Sequence, residues 1–179
     1  MNKPLIIWNH RWEYDKNPED FFRLLFDLKK YNYSFTLAVL GETYQEIPKI
    51  FLQAKVELSD EIIHWGYVKN TQDYIQWLKK GDVIPVTSMQ DFFGESLVQA
   101  MYYNCYPLVP NRLVFPEHFP SATRSKFVYS SNEDMFQKIT NLFSDLNYTR
   151  SVNVRQYVTK YLWGSIVSQY DDVFEKMTR

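Results

Sequence analysis

Two cations and one glycine turn carry most of the chemistry in this sequence. Arg11 and Lys16 stand five residues apart in the polar run Asn9-His10-Arg11-Trp12-Glu13-Tyr14-Asp15-Lys16-Asn17. A planar guanidinium beside a flexible ammonium suits a diphosphate, whose two negative charges lie close together. The same pair also fits a solvated loop with two unrelated cations, the ordinary fate of charged loop residues. Further along, Gln90-Asp91-Phe92-Phe93-Gly94-Glu95-Ser96-Leu97-Val98-Gln99-Ala100-Met101 sets an acid, two aromatics and a glycine before an apolar helical stripe of Leu97, Val98, Ala100 and Met101. Gly94 stands where a strand gives way to that helix. The first free amides of such a helix, around Phe93, Gly94, Glu95, Ser96 and Leu97, form a natural phosphate site. The Glu95 carboxylate, in the first helical turn, also offsets the positive end of the helix dipole.

Apolar β-branched runs read as the strands that position these groups: Leu5–Trp8, Ser34–Leu40, Ile62–Trp65, Asp82–Ser88, Tyr106–Pro110 and Lys126–Tyr129. The prolines of the fifth run point to a sheet margin or a strand end. Helices are predicted from Pro18 to about Lys30, from about Thr43 to Ala54 with a bend near Pro48, and from Thr71 to Lys80. Another runs from Asn132 to about Phe143. The tail from Thr149 reads as one long or two shorter helices, broken near Trp163-Gly164. Strands alternating with helices imply an α/β protein with a doubly wound parallel sheet, in a single domain over 1–179 with a helical tail from about 149. Such sheets bind ligands at the carboxyl ends of their strands.

Composition narrows the classes further. Aromatic residues make up 18% of the chain, with 14 Tyr and 13 Phe, which excludes disorder. A net charge of -1 gives no global basic field for nucleic acid, although a local patch is compatible with it. The single cysteine, Cys105, forms no internal disulfide, which fits a reducing compartment. No signal peptide or membrane-spanning run is evident, so a soluble cytoplasmic protein is expected. The first strand opens almost at Met1, as in a domain cut from a longer chain.

Of the three histidines, His64 alternates with apolar residues and reads as structural. His10 adjoins Arg11 and is a candidate for contacting phosphate or sugar. His118 lies in a loop past the fifth strand, where a surface role is expected. No His, Cys or Asp spacing suggests a metal site, and neither a Walker loop nor Gly-x-Gly-x-x-Gly occurs.

Asp91, Gly94 and Gln99 fall on the pattern Glu-x-Phe-Gly-x-x-x-x-Glu-Ala, and in this the chain resembles the donor domain of retaining GT-B glycosyltransferases. Asp91 and Gln99 stand where that family has its two acids. The family's first strand ends in Gly-Arg with a Lys five residues beyond the Arg; here Arg11 and Lys16 match, and His10 replaces the glycine. Gly66-Tyr67-Val68 is similar to the family's base-holding turn, and Tyr161-Leu162-Trp163 to its Trp-bearing final helices. The runs from Trp8 to Pro18, Asp91 to Gly94, Asn104 to Leu108 and Asn111 to Glu117 resemble the tRNA-queuosine mannosyltransferase group in particular.

The resemblance implies one Rossmann-like half of a GT-B fold. It implies that Arg11, Lys16 and the amides near Gly94 stabilise a leaving diphosphate, that Asp91 reaches the donor sugar, and that Tyr67 and Val68 hold the base. Gln99 would face the ribose, where an amide accepts one hydrogen bond and donates another while a carboxylate accepts both. The donor would be a nucleoside diphosphate sugar such as GDP-mannose, with no cofactor and no obligatory metal. The acceptor, a tRNA in the resembling group, would be held by an N-terminal half, without which the chain is expected to be inactive. Two other readings stay open: a non-catalytic binding module in which Gln99 marks lost activity, and an unrelated flavodoxin-like scaffold.

Overall fold

The computed structural model describes residues 3–42 and 46–177. Six strands form one parallel sheet: β1 (Leu5–Trp8), β2 (Thr36–Leu40), β3 (Ile62–Gly66), β4 (Val83–Pro85), β5 (Tyr106–Pro110) and β6 (Val128–Tyr129). Their order is β3-β2-β1-β4-β5-β6, so the chain winds outward from β1, crosses back, and winds out again from β4. Ile6 pairs with Leu37 on one side and Val83 on the other. The β1 and β4 side chains are buried on both faces, as apolar runs under two helical layers must be.

Helix α1 (Pro18–Lys30) packs on α2 (Lys49–Glu57) and on α6 (Asn132–Ser144), while α3 (Thr71–Lys80) packs on α4 (Glu95–Tyr102). Phe21 and Phe22 of α1 close on Trp8 with ring centres 4.6 and 6.2 Å away, and Trp12 stacks on Phe51 at 4.6 Å. These aromatics fix both the end of β1 and the polar loop that leaves it. The tail comprises α7 (Leu146–Ser151), two short 3-10 turns, and α8 (Trp163–Met177), which begins at the Trp163-Gly164 break. No described helix is long and apolar enough to cross a membrane.

Four expectations shift. The second helix starts at Lys49, because Pro48 is extended (ψ 134°) and acts as its cap; residues 43–45 lie outside the described chain. Lys126 and Phe127 belong to a helix, α5 (Ser121–Phe127), and only Val128 and Tyr129 are strand. The fourth strand ends at Pro85, well short of Ser88.

The fourth shift is the most instructive. Strand β5 is no margin, since it lies between β4 and β6. Tyr106 N–H bonds Asp82 O and Val86 N–H bonds Leu108 O, so the next rung would ask Pro110 for a proton it does not have. The Tyr129 hydroxyl donates to Val86 O instead, at 2.7 Å. The proline therefore ends the ladder without leaving a buried carbonyl unmet.

At the amino edge of the sheet, Asp82 is buried and accepts Leu5 N–H at 2.8 Å. Arg150 of α7 meets it with two bonds, Nε to Oδ1 at 2.7 Å and Nη2 to Oδ2 at 3.0 Å.

Candidate functional site

Strands β1 and β4 are neighbours at the point where the strand order reverses, so the loops that leave their carboxyl ends meet. Asp15 O accepts the Met89 and Gln90 amides at 2.8 and 3.3 Å. The buried Thr87 hydroxyl shares its proton between Lys16 O and Asn17 O, at 2.9 and 2.8 Å. Arg112, from the loop after β5, braces the same segment through Thr87 O and Ser88 O. On the other side, a Cβ at Gly41 would stand 2.6 Å from His10 O, and the residue has φ +109°, so only glycine fits there. Backbone contacts thus hold the two loops together before any side chain meets.

Across that join, Lys16 Nζ donates to Asp91 Oδ2 at 3.1 Å and to Gln90 O at 3.0 Å, and lies 3.2 Å from Asp15 Oδ2. The other oxygen of Asp91 accepts the amides of Gly94 (2.7 Å) and Phe93 (3.3 Å). Burial raises the Asp91 pKa, but the Gly94 amide, Lys16 and the Phe93 amide together hold it below the ordinary carboxylate value. Asp91 is therefore an anion at neutral pH. Gly94 itself is left-handed, with φ +79°, and caps α4. Since the Phe93 and Gly94 amides are already bonded to Asp91, the helix start offers Glu95, Ser96 and Leu97 instead; no side chain caps it.

Arg11 is the exposed partner of this pair: its side chain is 59% accessible and 3.6 Å from Asp15. Arg11, Lys16, Asp91, Glu95, Ser96 and Gln99 all line one cleft of about 380 Å3. A second cavity of about 290 Å3, lined by Tyr67 and Val68, shares Asn9, His10, Arg11 and Tyr74 with it. The two are one continuous groove along the carboxyl rim. Phe93 and Leu97 contribute no side chain to it. Leu97 is in the core, and Phe93 turns its ring to Tyr161, 4.9 Å away.

Two residues in the groove escaped the sequence reading of the site. Asn9 donates to Ser96 O at 2.8 Å and to the Tyr74 hydroxyl at 3.1 Å. Tyr74 in turn donates to Gln99 Oε1 at 2.9 Å, and Gln99 Nε2 donates to Glu95 at 3.0 Å. Asn9 carried a signal as the first polar residue after β1. Tyr74 carried none, because its role depends on α3 lying against α4.

His10 is buried, and its Nδ1 lies 2.7 Å from Ser96 Oγ. Burial, with help from Lys16, pushes its pKa down to about 4, so the ring is neutral at pH 7. Two buried atoms of the groove residues, His10 Nε2 and Asn9 Oδ1, have no hydrogen-bond partner in the described chain.

His118 corrects the expectation of a surface role, being 1% exposed. Its Nε2 donates to Phe93 O at 2.9 Å, which leaves Nδ1 to accept the Tyr161 hydroxyl at 3.0 Å. The ring ties the glycine-turn segment to the tail. His64, as expected, is structural, with Nε2 bonded to Gly66 O at 2.9 Å and its ring against Trp77.

Known proteins agree with this architecture. The model of the family "Glycosyl transferases group 1" matches residues 1–160. A tRNA-queuosine alpha-mannosyltransferase of Drosophila melanogaster is 30% identical over 171 residues, covering 88% of this chain. The chain spans 44% of that relative's length. The C-terminal domain of a group 1 family glycosyl transferase from Francisella tularensis superposes with a TM-score of 0.69 at 16% identity, over 94% of this chain and 86% of that one. Sucrose-phosphate synthase from Thermosynechococcus elongatus superposes at 0.79 and 13% identity, over 99% of this chain and 46% of that one. The chain belongs to the group 1 glycosyl transferases, and its fold is that of the C-terminal, Rossmann-like domain of a GT-B enzyme.

Proposed function

We propose that this chain is the donor-binding half of a retaining glycosyltransferase, which takes mannose from GDP-mannose for transfer to a tRNA held by an N-terminal half. The observation that carries the reading is the convergence of Lys16, Arg11 and the uncapped start of α4 on one groove. As the sugar–phosphate bond breaks, negative charge gathers on the leaving diphosphate. Donors already in place stabilise that charge without reorganising. Lys16 is held by Asp91 and Asp15; Arg11, exposed, closes over the phosphates from outside. Asp91 faces the donor sugar, Tyr67 and Val68 frame the base, and Gln99 faces the ribose. Asn9 Oδ1 and His10 Nε2, without partners in the described chain, are the kind of buried groups that a polar ligand completes.

Half of a cleft cannot exclude water, so the chain alone binds the nucleotide and transfers little. Buried, unpaired Cys105 suits a reducing cytoplasm. Calorimetry with GDP, UDP and GDP-mannose tests the reading, and absence of binding at millimolar nucleotide overturns it.

A second reading, a non-catalytic sugar-nucleotide module, is favoured by Gln99, whose amide oxygen and nitrogen are both engaged by neighbours. Transfer by the longer protein that contains this domain, measured beside its Gln99→Glu variant, separates the two.

A further inference from the structure

The opposite edge of the sheet carries a cavity that the donor reading leaves unused. At about 510 Å3 it is larger than either hollow of the carboxyl rim. Lys3, Lys79, Lys80 and Arg150 line it, and Asp82 is its lone carboxylate. Asp82 is already neutralised by the two bonds from Arg150. Another acid of that edge, Glu61, is paired with Lys29 at 2.9 Å. Among the described residues, Lys3, Lys79 and Lys80 meet no carboxylate. In a chain of net charge -1, this hollow is a local excess of positive charge.

Lysines in the last turn of α3 suit the negative end of its dipole, which accounts for Lys79 and Lys80. That account does not extend to Lys3, ahead of β1, while Arg150 is already engaged as the counter-ion of Asp82. Nor do the four converge on one buried point, as a pocket for a single small anion requires. They come from three separate segments around an open rim. One aromatic ring, that of Tyr103, lines the cavity beside them, 5.8 Å from Lys79 Nζ; Lys80 Nζ lies 5.4 Å from the ring centre of Trp77, which is outside the lining. Spaced cations beside an aromatic ring suit a run of phosphates along a strand of nucleic acid.

We infer that this edge grips the phosphodiester backbone of a structured RNA, a step that rests on the RNA acceptor proposed above. The rims are separated by one strand length, about 13 Å for the four residues of β1, a span that a folded RNA crosses with its target nucleoside still free to reach the donor groove.

The test is a fluorescence-anisotropy titration of the chain with a labelled tRNA transcript, repeated over a salt series. The comparison is a variant carrying Lys3→Gln, Lys79→Gln and Lys80→Gln, which are exposed positions outside the donor groove. The expected result is a loss of roughly tenfold in RNA affinity, with the log–log salt slope flattened by about two. GDP affinity should be unchanged in the variant. No RNA binding by the parent chain overturns the inference, as does unchanged affinity and slope in the variant. Displacement of the RNA by micromolar pyrophosphate overturns it in favour of a small-anion site. RNA binding that persists while GDP fails to bind sinks the donor reading and leaves this one standing.

Discussion

Lys16 Nζ lies 3.1 Å from Asp91 Oδ2, an ion pair between loops seventy-five residues apart in sequence. Both side chains are nearly enclosed, at 12% and 14% exposure, so neither charge is well hydrated on its own. Lys16→Met leaves the Asp91 carboxylate with the Phe93 and Gly94 amides but no counter-ion. In the parent chain the Asp91 pKa is depressed, so its stabilising contribution is complete above the unfolded value near 3.9 and disappears as pH falls through the folded one. Removing the lysine should cost about 1–3 kcal/mol at pH 7, read from urea unfolding. Adding Asp91→Asn should recover part of it.

The His10 prediction runs over a different pH range. Its folded pKa is about 4, against 6.5 for an unperturbed imidazole, so the unfolded chain binds a proton that the folded chain refuses. Stability is therefore complete above 6.5 and falls toward pH 4. The expected slope within that window is up to about 1.4 kcal/mol per pH unit. His10→Gln should flatten it in unfolding curves taken between these limits.

Gln99→Glu should tighten binding of a nucleoside diphosphate by roughly tenfold, the difference between a charged and a neutral hydrogen bond to ribose. The new carboxylate faces Glu95, whose Oε1 now accepts from Gln99 at 3.0 Å. The gain should accordingly be larger in combination with Glu95→Gln. Calorimetry with GDP on all three proteins checks both expectations.

Gly94→Ala should lower stability by about 1–2 kcal/mol through its left-handed backbone alone. Its Cβ would also press on the Phe115 ring, 3.1 Å away. Nucleotide affinity should fall as well, because the turn aims the first amides of α4. Thermal unfolding and calorimetry report the two effects separately.

Tyr161→Phe removes the hydroxyl that His118 accepts and keeps the ring against Phe93. The expected cost is about 1 kcal/mol. Hydrogen exchange should quicken in both the tail and the 91–94 turn, since His118 joins the two.

The strands were legible because parallel strands buried on both faces must be nearly continuous apolar runs, as Leu5–Trp8 and Tyr106–Pro110 are. The meeting of the Arg11–Lys16 loop with the Asp91–Gly94 turn was legible too, since spacing within a loop survives folding. What escaped notice were groups whose meaning comes from distant partners. Nothing local marks Asp82 as one half of a clamp with Arg150, or His118 as the link between Phe93 and Tyr161. Tyr74 was invisible for the same reason. The error at Lys126 and Phe127 was of another kind. Pro120 starts a helix there, and the short run before Tyr129 is too brief for its periodicity to arbitrate between helix and strand.

The clamp on Asp82 makes the sheet and the tail interdependent. Without α7 in place this carboxylate has no counter-ion, and sealing it beside Leu5 is unfavourable. Burying the edge where β1 meets β4 therefore depends on a residue of α7, 68 positions further along, and not on the strands alone.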